Sequence, residues 1–312
     1  MGEMINGQWH TTPIAKTNKS GHFVRPQSVF RHRIGQDSRF TPEPNRYHLY
    51  VSYACPWASR TIIFRALKNL ESVISLSSVE PLMLENGWEF GSSSHQDPLY
   101  NFNYLYQIYQ KADPHYSGKV TVPVLWDKKE ETIVNNESGE IIRMLNSEFN
   151  AYTDNKYDFY PPKLQKEIEA MNDFIYENIN NGVYRCGFAQ SQEAYELAFD
   201  PLFSALDKVE ETLSRKNFLI GSEITEADWR LFTTLIRFDV VYYSHFKCNL
   251  KQMIDYPNLW NYLLRLYQVP GIDKTVNFAD IKQHYYGSHK MLNPSGIIPK
   301  GPQIDFNQAS HR

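Results

Sequence analysis

Of the side chains in this sequence that can do covalent chemistry, Cys55 has the most telling surroundings: Ala54-Cys55-Pro56-Trp57-Ala58. A thiol attacks only as its thiolate, and the amino terminus of a helix favours that form through its dipole and its free N–H groups. Pro56 suits the first helical position and so puts Cys55 where that stabilisation is felt. Arg60, one turn on, adds positive potential. Three residues after Cys55 stands Ala58, not a second cysteine, so a disulfide formed at Cys55 has no neighbouring thiol to resolve it and needs an external one. The spacing predicts a monothiol mechanism. Cys186 and Cys248 fall far along the chain and read as buried packing. Three cysteines in 312 residues make no disulfide framework and point to a reducing compartment, the cytosol.

Other chemistries fail on spacing. No two glycines stand two apart and no glycine pair five apart is followed by Lys, so neither nucleotide-binding glycine motif is present. Gly87-Trp88-Glu89-Phe90-Gly91 has Glu where a nucleophile elbow needs Ser. No His-Glu-x-x-His occurs, and His284 with His289 reads as polar packing rather than a metal site. Lys plus Arg is 32 against 35 for Asp plus Glu, a net charge of −3, which argues against nucleic-acid and polybasic membrane partners. The apolar runs are short and interrupted, so a soluble protein without a membrane span is expected. The composition is rich in aromatics, with 21 Tyr, 18 Phe and 6 Trp, and tyrosine suits a wet pocket for a flat ligand.

The elements that must position Cys55 follow from periodicity. The first 46 residues are polar and punctuated by Pro13, Gly21, Pro26, Gly35, Pro42 and Pro44, and read as an extended arm. Tyr47 to Ser52 reads as a buried strand, Ile62, Ile63, Ala66, Leu67 and Leu70 as a helix, and Val73 to Val79 as a second strand parallel to the first. Residues 80–101 form a long loop with an Asn86-Gly87 turn. Tyr104, Leu105 and Ile108 mark a helix that ends before Asp113-Pro114. Val120 to Leu125 and Thr132 to Val134 make a strand pair, and Ser138 caps the helix of Ile141, Ile142 and Leu145. The order β-α-β-α-β-β-α is that of a thioredoxin fold.

Beyond a Tyr-rich linker ending at Tyr160-Pro161-Pro162 the strands cease. Ile168, Met171, Ile175 and Ile179 mark one helix, and Leu202, Leu206, Val209 and Leu213 another. Thr225 and Asp228 form the acidic variant of a capping box for a central helix through Leu231, Leu235 and Phe238. Pro257 and Pro270 bound a further helix, and the tail from Tyr286 should be extended. The expected fold is therefore α/β plus all-α: residues 1–158 hold the arm and a thioredoxin-like domain, and residues 159–312 an all-helical domain with an extended tail.

Two further signals surround the cysteine. In thioredoxin-like proteins a proline such as Pro123 in Val122-Pro123 presents the backbone of the residue before it to an extended peptide ligand. At Glu137-Ser138, the helix start and Ser138 suit a carboxylate and Glu137 an ammonium, which together describe an amino-acid end such as the γ-glutamyl group of glutathione. Tyr47-His48-Leu49-Tyr50-Val51-Ser52, Ala54-Cys55-Pro56-Trp57-Ala58, the run Pro81 to Trp88, Ala112-Asp113-Pro114, Val120 to Asp127 and Asn136-Glu137-Ser138 then carry a resemblance, with Asn181-Gly182-Val183-Tyr184, Arg237-Phe238-Asp239 and His284-Tyr285 in the second half. Over nearly its whole length the chain resembles the glutathionyl-hydroquinone reductases, the Xi class of glutathione transferases.

That resemblance implies that Cys55 is the catalytic cysteine, that Trp88, Val122, Glu137 and Ser138 contact glutathione, and that Tyr184, Tyr242 and Tyr285 line the hydroquinone pocket. Lys119 stands where relatives often have Arg and Ser59 where many have His. Lysine keeps the charge and loses the two-pronged hydrogen bonding, so carboxylate binding there is expected to be looser. The implied reaction is glutathione-dependent reduction of S-glutathionyl-hydroquinones to hydroquinones through a mixed disulfide at Cys55, with no metal or nucleotide cofactor, in a cytoplasmic homodimer. Two alternatives stay open on the residues alone: an Omega-like thiol transferase or dehydroascorbate reductase using the same cysteine, and a non-catalytic glutathione-binding protein.

Overall fold

A computed structural model describes residues 2–11, 16–91 and 93–309; Pro13 of the expected arm lies outside them. The chain divides into two compact units, residues 1–14, 26–157 and 275–288 in the first and residues 15–25, 158–274 and 289–312 in the second.

The first unit begins with a hairpin of β1 (Gly2–Ile5) and β2 (Gln8–Thr11). Its sheet contains β3 (Tyr47–Val51), β4 (Ser75–Ser78), β7 (Val124–Asp127) and β8 (Thr132–Asn135) in the order β8-β7-β3-β4. As the sequence predicts, β3 and β4 are parallel and joined through α1 (Pro56–Leu67), while β7 runs antiparallel to both its neighbours. Every residue of β3 is buried, as expected of a strand covered on both faces. A buried ion pair, Arg46 Nη2 to Asp127 Oδ2 at 2.6 Å, ties the start of β3 to the end of β7. α2 (Leu105–Ala112) and α3 (Ser138–Ser147) complete the α/β part, with α3 packed against α1.

Several expectations change in detail. The arm is more structured than its lack of period suggests: besides the β1–β2 hairpin, residues 30–32 hydrogen-bond along β8, with His32 N–H to Val134 O and Asn136 N–H to Phe30 O, and so cover a sheet edge. The loop 80–101 contains a small hairpin, β5 (Met83–Leu84) with β6 (Gly87–Trp88). Gly87 is required there: its φ is +74°, and a Cβ would sit 2.7 Å from the ring of Trp9. The strand expected from Val120 starts only at Val124, because Pro123 offers no N–H to a ladder. Finally, Glu137 rather than Ser138 caps α3, its carboxylate accepting the N–H of Gly139 at 3.1 Å, and Ser138 is the first helical residue.

In the second unit every regular element after Asp158 is helical among the described residues. α4 (Gln165–Ile175) widens into a π-helical turn at Tyr176–Asn180, followed by α5 (Gly182–Gly187) and α6 (Gln192–Arg215). α7 (Glu226–Arg237) is buried along nearly its whole length and begins at the expected box, with Asp228 Oδ2 accepting the N–H of Thr225 at 2.8 Å. It widens into a second π-helical turn, Phe238–Tyr242. α8 (Pro257–Tyr267) lies between the two expected prolines. A last helix, Phe278–Ser288, belongs to the first unit, so the helical pattern runs past Tyr286 and the extended tail starts after Ser288.

Candidate active site

Cys55 is the N-cap of α1, half-buried, with Pro56 at the first helical position. Its backbone carbonyl starts the helix by accepting the N–H of Ser59 at 2.9 Å, and its side chain makes no capping hydrogen bond. The sulfur is thus left for other partners. Sγ lies 3.7 Å from the carbonyl oxygen of Val122, and the Val122–Pro123 bond is cis. The sequence-predicted pair Cys55 and Val122 is therefore brought together across 67 residues of chain.

Glu137 and Ser138 sit at the start of α3. Glu137 Oε2 accepts the hydroxyl of Ser28 at 3.1 Å, while its Oε1 takes the Gly139 N–H. Ser138 Oγ lies 3.4 Å from Nη1 of Arg60, whose guanidinium is buried 4.6 Å over the ring of Trp57. Arg60 thus connects the cysteine helix to the helix start proposed for an α-amino acid head. Ser28 escaped the sequence reading because it lies in the arm, 109 residues from Glu137. Lys119 points its ammonium toward the N-terminal hairpin, 3.3 Å from Gly2 O and 3.8 Å from Glu3 Oε2. Ser59 is wholly buried in α1. Trp88, on β6, is nearly buried and stacks on His284, centroids 4.9 Å apart and planes at 20°. Tyr285 follows in the same helix and is also buried.

The other two predicted tyrosines meet in the second unit. Tyr184 on α5 and Tyr242 on the π-helical turn have ring centroids 6.1 Å apart, and each lies 5.4 Å from Phe246. The widened turn repositions the side chains that follow α7, a common use of π-helical geometry at functional sites. Arg25 stacks its guanidinium 4.8 Å over Tyr184 and is braced by Asn181 Oδ1 at 3.0 Å. A cation over a phenol ring is a feature that neither residue's local sequence announces.

The remaining cysteines behave as expected of core thiols. Cys186 and Cys248 are buried, and burial, together with contact with Cys186, pushes the Cys248 thiol well above its ordinary range, away from the thiolate. Among the described residues no group of three or more His, Cys, Asp or Glu is arranged to hold a metal ion. No helix among them is long and apolar enough to cross a membrane.

Residues 54–148 match the glutathione S-transferase N-terminal domain, and residues 192–265 match the glutathione S-transferase C-terminal domain. The chain is 51% identical to the glutathionyl-hydroquinone reductase YqjG of Escherichia coli (strain K12), over 100% of this chain and 98% of that protein. The glutathione-bound structure of YqjG superposes with a TM-score of 0.92 at 49% identity, covering 100% of this chain and 99% of that one. The crystal structure of the glutathione S-transferase Xi from Phanerochaete chrysosporium gives a TM-score of 0.88 at 50% identity, covering 90% of this chain and 97% of that one.

Proposed function

The chain belongs to the glutathione transferases, in their glutathionyl-hydroquinone reductase or Xi class, and from that premise we propose that Cys55 carries a glutathione-dependent reduction of S-glutathionyl-hydroquinones. The observation that carries the assignment to Cys55 is its place: a half-buried thiol at the N-cap of α1, uncommitted to capping and 3.7 Å from the Val122 carbonyl. No second cysteine stands within reach along α1, which is why the resolving thiol must be glutathione.

The substrate is a ring carbon bonded to the sulfur of glutathione. An aryl carbanion is a poor leaving group, so the hydroquinone first becomes its keto tautomer, from which carbon departs as an enolate. The Cys55 thiolate attacks the glutathionyl sulfur; the carbon–sulfur bond breaks, a disulfide between Cys55 and glutathione forms, and the enolate oxygen takes up a proton to restore the hydroquinone, the ring carbon having received its hydrogen in the tautomerisation. The two-electron reduction of the ring is matched by oxidation of the two thiols. Attack by a second glutathione thiol on the mixed disulfide releases oxidised glutathione and returns Cys55 as thiolate. The hydroxyls of Tyr184, Tyr242 and Tyr285 stabilise the enolate oxygen and move the protons.

Glutathione is placed by Trp88, by the Val122 backbone and by the start of α3, where Ser138 and the helix N–H groups suit its γ-glutamyl carboxylate and Glu137 its ammonium. Lys119 adds positive charge for a carboxylate. We assign the protein to the cytoplasm as a homodimer, supported by its three free cysteines and by the family resemblance; light scattering and fractionation test the two statements. Replacement of Cys55 by Ala abolishes turnover of glutathionyl-menadiol and the glutathione adduct seen by mass spectrometry. Full activity in that variant overturns the mechanism.

A further inference from the structure

We propose that His284 is a positioning residue that fixes Trp88 and Tyr285 relative to one another, joining the glutathione contact to the hydroquinone contact. The inference rests on the functional reading above for the roles of those two residues. Its geometry is independent of it.

His284 lies between the two rings, stacked on the face of Trp88 at 4.9 Å and nearly perpendicular to Tyr285, with centroids 5.3 Å apart and planes at 85°. Its Nδ1 is 2.9 Å from the carbonyl oxygen of Pro81. A carbonyl only accepts, so Nδ1 carries the proton, and in the neutral ring the lone pair is on Nε2. One turn on, the hydroxyl oxygen of Ser288 accepts the N–H of Met83 at 2.9 Å. Between them Gly287 gives room for the approach: a Cβ there would stand 2.6 Å from Leu82 Cδ2. Residues 284, 287 and 288 thus grip Pro81, Leu82 and Met83, and through His284 also Trp88 on the adjoining strand. The first strand of that hairpin and the last helix are some two hundred residues apart in the chain, yet they act as one clasp.

Two properties of the imidazole do separate work. Its flat face orients the Trp88 indole; its Nδ1–H sets the height of the helix, and with it the Tyr285 hydroxyl, against the hairpin. Two substitutions separate them. His284→Phe keeps a ring and loses the donor, whereas His284→Asn keeps an amide N–H near the Nδ1 position and loses the ring. Steady-state kinetics on glutathionyl-menadiol, glutathione affinity by calorimetry and melting temperature are measured for both. We expect H284N to raise the glutathione KM and Kd about tenfold with kcat within about twofold, and H284F to lower kcat about tenfold with a smaller change in KM, each corresponding to one modest interaction lost. Both variants holding both constants within about twofold overturns the proposal, as does a parallel fall of all constants that tracks the melting temperature. If the parent binds glutathione and fails to turn over glutathionyl-menadiol, the functional reading falls alone, and the calorimetric affinities still decide whether His284 orients Trp88.

Discussion

A thiolate at a helix start attacks any accessible sulfur, so Cys55 alone does not distinguish a carbon–sulfur bond from a disulfide. The distinction needs acids that meet the developing enolate, the role proposed for Tyr184, Tyr242 and Tyr285. Tyr184→Phe, Tyr242→Phe and Tyr285→Phe should each lower kcat on glutathionyl-menadiol by about 100-fold, the scale of one lost oxyanion donor. Reduction of a glutathione mixed disulfide by the same variants should change little, because sulfur is a good leaving group. Equal losses on the two substrates would reassign the tyrosines to packing. The helix starts at Cys55 and Glu137 were readable because each sits in a short motif whose meaning is local. Arg60 beside Ser138, Ser28 beside Glu137 and Arg25 over Tyr184 were not, since each contact joins residues 78 or more positions apart. Nothing in the periodicity of either partner encodes such a meeting.

Helix starts carry their signal in three or four residues. The box at Thr225 and Asp228 was evident from residue types, and its physical weight is larger than the motif implies. Asp228 is fully buried and accepts from Thr225 N–H at 2.8 Å, the Thr225 hydroxyl at 3.0 Å, Leu219 N–H at 3.0 Å and the hydroxyl of Tyr262 at 2.9 Å. Asp228→Ala strands four buried donors and should destabilise the protein by about 3 kcal/mol, against about 1 kcal/mol for Thr225→Ala. Urea unfolding measures both; losses of equal size would mean that Asp228 acts as a cap and nothing more. α3 is capped one residue before the expected position, because Glu137 and Ser138 are both able to cap and only the three-dimensional path of the chain selects Glu137. The apolar period of α6 is visible only from Leu202, ten residues inside the helix. Pro201 lies inside it, and a proline ordinarily marks a boundary. Its true start is at Ser191, whose hydroxyl oxygen accepts the N–H of Ala194 at 3.1 Å.

For the whole chain, the change from mixed strands and helices to helices alone was legible near residue 158, whereas the assignment of residues 15–25 to the second unit and 275–288 to the first has no compositional mark. A buried group in each unit links its folding to pH, and the two act in opposite directions. In the first, burial, with Lys128 and Arg65 nearby, lowers the pKa of His48 to about 3; both ring nitrogens are held at 2.8 Å by Ser75 and Ser77. Below pH 6.5 the unfolded chain takes up a proton that native His48 refuses, so this group removes stability as pH falls toward 3. In the second, burial raises Asp239 to about 6, although it accepts the N–H of Met253 at 2.7 Å. Between about pH 6 and 4 native Asp239 keeps a proton that the unfolded carboxyl has released, so this group adds stability as pH falls. Against the parent, His48→Asn should therefore gain stability on acidification from pH 6.5, by about 1.4 kcal/mol per pH unit, and Asp239→Asn should lose it at a similar rate between about pH 6 and 4. The fixed offset from each substitution does not enter, because the slope of the difference with pH is what urea midpoints would compare. Parallel curves for parent and variants would mean that neither group titrates out of step with its unfolded form.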